Sequence, residues 1–137
     1  MLAQQQVDEG GLPFSSIIVN QHGDCIGEGV NQVNVLNDCT AHAEIQAIRA
    51  ACKKLGVTVL KGSTLFASGE PCGLCYMAIR LAEISQVVIL LDRNEVKSLG
   101  FDYLWTYKSQ SELRFDFKVS NLSDELKFSP FVMYQKN

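Results

Sequence analysis

The sequence has no apolar run approaching the roughly 20 residues that cross a bilayer, so no transmembrane helix is expected. It also lacks a basic start and an apolar h-region. Met1-Leu2-Ala3-Gln4-Gln5-Gln6 does not read as a secretory signal, and a cytoplasmic location is the expectation. There is no long basic stretch, and 12 Lys and Arg against 15 Asp and Glu leave a formal net charge of -3. That disfavours a broad phosphate-binding surface, and with it nucleic acid, and leaves a small molecule as the better substrate class. No repeat, Pro-rich linker or low-complexity segment divides the chain. Its 137 residues are expected to form one domain, 1–137, long enough to bury roughly two thirds of the unfolded surface. The cysteines number five, an odd count with two of them in C-x-x-C, which argues against a disulfide framework. Cys25, Cys39 and Cys52 are expected as buried free thiols.

Short apolar runs separated by turn residues supply the elements. Ser15-Ser16-Ile17-Ile18-Val19 and the run from Cys25 to Val30 flank the turn cluster Asn20-Gln21-His22-Gly23-Asp24, the pattern of a hairpin. Asn31 to Asp38 reads as a loop. From Thr40, the residues Ile45, Ile48, Ala51, Cys52 and Leu55 recur at helical spacing until Gly56. Thr64-Leu65-Phe66-Ala67 is a short strand. Pro71 is expected to open a helix running to about Ile84, with Leu74, Met77, Ala78 and Leu81 inward. Val87-Val88-Ile89-Leu90-Leu91 has the unbroken apolar pattern of a parallel strand covered on both faces, reached by a right-handed crossover. Beyond Arg93 the pattern is weaker: a helical turn over Asn94 to Leu99, a strand over Phe115 to Val119, and a partly helical Ser123 to Gln135.

The chemistry gathers at the starts of the two long helices. His42-Ala43-Glu44 and Pro71-Cys72-Gly73-Leu74-Cys75 offer one imidazole, two thiols and a spare carboxylate. Three protein ligands make an open zinc site, whereas a structural zinc is normally closed by four. The other histidine, His22, falls in the hairpin turn and reads as a turn residue. Cys72 and Cys75, three apart, can share a helix face, and the positive end of the helix dipole favours their thiolate forms. His42 and Glu44 are two apart and would diverge inside a helix, but at a helix start they can flank an ion over its end. The two helix starts must therefore face each other. Zinc with two thiolates and a neutral imidazole is formally neutral, remains a Lewis acid and acidifies water; Glu44, outside the ligand set, could take that proton and return it. The alternative is a non-catalytic zinc-binding scaffold or a redox C-x-x-C pair, neither of which needs a non-ligand carboxylate.

These motifs resemble the cytidine deaminase superfamily, and within it the purine-base branch of bacterial guanine deaminases and tRNA adenosine deaminases. The matching residues are Gly11-Leu12-Pro13-Phe14, Glu28-Gly29-Val30-Asn31, Asn37-Asp38-Cys39-Thr40-Ala41-His42-Ala43-Glu44 and Glu70-Pro71-Cys72-Gly73-Leu74-Cys75. Gly100-Phe101-Asp102 followed by Tyr107-Lys108 is more similar to guanine deaminases. The resemblance implies a three-layer α/β/α sandwich on a five-stranded mixed sheet of order 2-1-3-4-5. It implies zinc on His42, Cys72 and Cys75, with Glu44 as the catalytic proton shuttle. It also implies base contacts at Asn31, Phe14, Ala43, Asp102, Tyr103 and Tyr134, and a homodimer that exchanges C-terminal segments.

The implied activity is hydrolytic deamination of a nucleobase, with guanine to xanthine first and tRNA adenosine or a cytosine-type base as the alternative. The chain departs from the pattern in three places. Where the relatives tend to carry Gly-Phe-Asp-Asp, this sequence has Gly100-Phe101-Asp102-Tyr103. A phenol does not replace an ionised acceptor at neutral pH. The C-terminal segment is shorter, with Tyr134 as the nearest match to the aromatic that closes a partner's pocket. The N-terminal helix is also cut short, with few residues ahead of Glu9-Gly10-Gly11.

Overall fold

The computed structural model describes residues 2–109, 112 and 118–136. Ser15–Val19 (β1) and Cys25–Val30 (β2) pair as the expected antiparallel hairpin. Its turn is held by Asn20, whose side-chain oxygen accepts from the N–H groups of His22 and Asp24 at 2.9 Å. Thr64–Gly69 (β3) pairs antiparallel with β1, and Gln86–Leu91 (β4) pairs parallel with β3. The sheet is therefore mixed, with order β2-β1-β3-β4 among the described residues. Where five strands were expected, four are seen among the described residues. The strand expected over Phe115 to Val119 falls largely on residues 115–117, which lie outside the described residues.

Around this sheet run Leu2–Asp8 (α1), Val33–Leu36 (α2), Ala43–Leu55 (α3), Gly73–Leu81 (α4), Arg93–Ser98 (α5) and Asp124–Lys136 (α6), with a 3-10 turn at Leu104–Tyr107. The core lies between one sheet face and α3 with α4, where Ile18, Leu65, Ala47, Ala51 and Ile79 are buried together. Close approach of α3 to β2 depends on Gly29. A Cβ there would stand 2.1 Å from the Ala43 carbonyl and 2.5 Å from Ala47 N, so only glycine lets the start of α3 settle against the strand. α5 begins with a capping box in which Asp92 accepts from Asn94 and Glu95 N–H while Glu95 accepts from Asp92 N–H. Among the described residues, no helix is long and apolar enough to cross a membrane.

Several expectations are corrected. Residues 33–36 form a short helix inside the expected loop, its C-cap Asn37 taking the left-handed conformation. α4 starts at Gly73 with Cys72 as its N-cap, so Pro71 precedes the helix instead of opening it. Its inward residues are Cys75 and Ile79, while Leu74, Met77 and Leu81 are exposed. The helix is apolar nearly all round, so the period alone selected the wrong stripe. β4 is covered on one face only: Val88 and Leu90 are exposed beside Phe66. Cys25 and Cys39 are exposed and Cys52 is half-buried, because the first two sit at a strand start and in a loop instead of the core.

Candidate metal centre and the cavity beside it

α3 and α4 present their N-termini to one point. His42 is the N-cap of α3 and Cys72 the N-cap of α4, both with extended backbone and neither using its side chain to cap. The free side chains converge. His42 Nδ1 lies 3.4 Å from Cys72 Sγ and 3.4 Å from Cys75 Sγ, and the two sulfurs are 3.7 Å apart. Ligand bonds of roughly 2.3 Å to sulfur and 2.0 Å to nitrogen in a tetrahedron require about 3.8 Å between sulfurs and about 3.5 Å from nitrogen to sulfur. The three side chains therefore fit zinc as they stand. Among the described residues they form the one group of His, Cys, Asp or Glu side chains gathered for a metal ion. Two helix N-termini also direct positive potential at the thiols.

Titration behaviour in this cluster follows from its geometry. The Cys72 thiol is pulled well below its ordinary value by a hydrogen bond from Cys75, with His42 adding to it. Cys75 is pushed up by that shared hydrogen bond and by burial. His42 is raised by its hydrogen bond with Cys72 against the opposing effect of burial. Glu44 is 5% exposed, and burial raises its carboxyl above the usual range. It stands beside the thiols without completing the ligand group.

A cavity of about 180 Å³ opens next to these groups, lined by Phe14, Asn31, Ala43, Glu44, Tyr103 and Trp105 together with His42 and Cys72. Phe14 is backed edge-on by Phe101, with ring centroids 5.1 Å apart. Asn31 Oδ1 accepts from Val33 N–H at 3.1 Å, and its amide nitrogen is a donor it can offer a ligand. Larger clefts, such as one of about 450 Å³ beside Arg49 and Lys53, lie away from the thiols.

The structure thus brings Phe14, Asn31, Ala43 and Tyr103 together with His42, Glu44 and Cys72. It does not bring in Asp102 or Tyr134. Asp102 is exposed, pairs with Lys97 at 4.0 Å and accepts from Leu104 N–H, so it organises its own turn. Tyr134 is 81% exposed on α6. Glu70, Trp105 and Thr106 line the cavity although sequence reasoning missed them. For Trp105 and Thr106 no periodic pattern marked the segment; for Glu70 the adjacent ligand motif was the available signal.

The model of the cytidine and deoxycytidylate deaminase zinc-binding region matches residues 1–91. The chain belongs to this deaminase family. It is a zinc-dependent hydrolytic deaminase. The deaminase is 43% identical over 108 residues to the guanine deaminase of Bacillus subtilis (strain 168), covering 78% of this chain and 69% of that protein. It is 38% identical over 86 residues to the tRNA-specific adenosine deaminase of Aquifex aeolicus, covering 63% of this chain and 56% of that one. The X-ray structure of guanine deaminase from Bacillus subtilis superposes with a TM-score of 0.86 at 38% identity, covering 99% of this deaminase and 88% of that chain.

Proposed function

We propose that this deaminase converts guanine to xanthine and ammonia, with residues 1–137 acting as one catalytic domain. The observation that carries the guanine reading is the likeness to the Bacillus subtilis guanine deaminase structure over 99% of the chain. It extends past residue 91, where the general family region ends, into the segment that walls the cavity. The cavity, at about 180 Å³, is below the roughly 300–1,000 Å³ of sites for drug-sized ligands and suits a planar base better than a nucleoside.

His42, Cys72 and Cys75 would hold zinc, which when bound supplies Lewis acidity and acidifies water. Glu44 takes the proton of the attacking water and later delivers it to the leaving amine. Water adds to the amine-bearing ring carbon, the C–N bond breaks, and the ring keeps the oxygen while ammonia leaves. Burial supports this role, because a carboxyl held above its ordinary range can keep the proton between the two transfers. Phe14 and Trp105 supply aromatic walls for the ring, Asn31 donates to a ring acceptor, and the α3 start at Ala43 and the Tyr103 side chain complete the lining. Asp102 contributes through its turn.

The fifth strand and the order 2-1-3-4-5 belong to the same reading, as does a homodimer with exchanged C-terminal segments. α6 buries none of its described residues although Leu126, Phe128, Phe131 and Met133 are on it, and the sheet face around Phe66, Val88 and Leu90 is open. A second copy's α6 is the occupant this reading assigns to that face, with Tyr134 reaching the partner's cavity. A monomer at micromolar concentration in sedimentation would remove the exchange. A cytoplasmic location fits an enzyme of free bases with paired thiols. Ammonia release over guanine, adenine, cytosine, their nucleosides and tRNA tests the substrate. Turnover of tRNA alone would shift the reading to the tRNA adenosine class, and no turnover at all would favour a zinc-binding scaffold.

A further inference from the structure

The turn after Phe101 is stitched to the loop that carries the first thiol ligand. Tyr103 Oη donates to the Glu70 carbonyl at 2.5 Å, and Tyr107 Oη donates to the next carbonyl, that of Pro71, at 2.5 Å. On the other side of Cys72, Gly73 N–H donates to Thr106 Oγ1 at 2.8 Å, and that hydroxyl donates onward to the Tyr103 carbonyl at 2.7 Å. The approach is so close that a Cβ on Gly73 would sit 1.9 Å from the Thr106 carbonyl oxygen. The backbone is therefore gripped on both sides of the ligand.

A second layer holds the grip in place. The Glu70 carboxylate accepts from Arg93 Nη2 at 2.6 Å and Nε at 3.0 Å, from Arg93 N–H at 2.8 Å and from Tyr76 Oη at 2.9 Å. The Arg93 guanidinium also lies 3.5 Å over the Tyr107 ring. One cation thus fixes both the carboxylate of the loop and the ring whose hydroxyl holds that loop.

We propose that Tyr103, Tyr107 and Arg93 form a clasp that sets the position of the Cys72 sulfur, making them positioning residues for the bound zinc. Cys72 lies at the N-cap with extended backbone; its carbonyl accepts the first helical hydrogen bond, from Tyr76 N–H at 2.9 Å, while the two residues before it lie outside the helix. The carbonyls of the two preceding residues are the handles through which that direction is set, and each is taken by a phenol from the clasp. Tyr103 departs from the carboxylate expected at its position and serves two ends at once. It walls the cavity and anchors the ligand loop. Tyr107 anchors the loop without lining the cavity. The inference rests on the zinc deaminase reading only for the identity of the ion.

The decisive variant is Tyr107→Phe, which keeps the ring under Arg93 and removes the hydroxyl. Zinc-loaded protein is mixed with an excess of a chromogenic chelator, and the rate of zinc transfer is followed beside kcat and KM for the best substrate. Outer-shell contacts are worth roughly 10–100-fold in metal affinity or activity, so zinc release is expected to rise about tenfold, with kcat lower and KM near that of the parent. Tyr103→Phe should accelerate release similarly and change KM as well. Arg93→Lys keeps a charge but loses the two-pronged grip on Glu70, and is expected to move release in the same direction. Release at the parent rate in Tyr107→Phe and Arg93→Lys, whether or not the melting temperature falls, would overturn the clasp. If the parent turns over no base, the substrate reading fails while the zinc-release comparison still decides the clasp.

Discussion

Residues 15–91 and residues 93–109 are held by different means. The first region is a paired sheet with α3 and α4 packed on it, and it contains the buried core from Ile18 to Ala82. The second is attached largely by side-chain hydrogen bonds, such as Tyr103 to the Glu70 carbonyl and Arg93 to the Glu70 carboxylate; of α5 and the 3-10 turn, Val96 is the buried residue. The metal ligands and Glu44 belong to the first region. Tyr103, Trp105 and Thr106, the outer wall of the cavity, belong to the second. The ligands are thus mounted on the packed scaffold, while the appended segment supplies the outer wall of the cavity and the grip on the loop that carries Cys72.

The largest expected effect breaks the first region at its ligand set. Cys75→Ala leaves two ligands, and metal analysis should find zinc lost and ammonia release at background. Next in size is Gly29→Val, which drives a side chain into the Ala43 carbonyl. It should cost at least about 2 kcal/mol in urea unfolding and reduce zinc content, because α3 carries His42. A fully stable, zinc-loaded Gly29→Val protein would contradict the packing account.

The legible parts of this molecule were those where a local pattern carries its own physics. Two β-rich runs, Ser15–Val19 and Cys25–Val30, on either side of a turn cluster gave the hairpin, and H-x-E with C-x-x-C gave the ligand set, because metal geometry constrains residue type and spacing together. The inner face of α4 was misread because Leu74, Met77 and Leu81 are as apolar as Cys75 and Ile79, and the period cannot say which stripe meets the sheet. The exposure of Cys25 and Cys39 was missed because residue type alone says little about a thiol at a strand start or in a loop. Trp105 and Thr106 escaped notice because their segment has neither alternation nor helical period. Their places follow from contacts with a loop more than 30 residues earlier, such as Gly73 N–H to Thr106. The sequence departure at Tyr103 was visible, but its hydrogen bond to the Glu70 carbonyl was not.

A smaller effect sharpens the comparison from the other side. Trp105→Ala removes an aromatic wall of the cavity without touching the ligands, and Trp105 is already 61% exposed. KM should rise about tenfold, in line with the roughly 1–3 kcal/mol that stacking on a base contributes, while zinc content stays at the parent level. Lost zinc in that variant would mean that Trp105 supports the ligand loop as well as walling the cavity.

The most direct test of the central claim, a three-ligand zinc site served by a buried non-ligand carboxylate, is Glu44→Gln with zinc and ammonia release measured on the same sample. One zinc per chain with ammonia release reduced at least about 100-fold is expected, given what a positioned proton carrier supplies. Ammonia release near the parent rate, or loss of zinc from that variant, would contradict it.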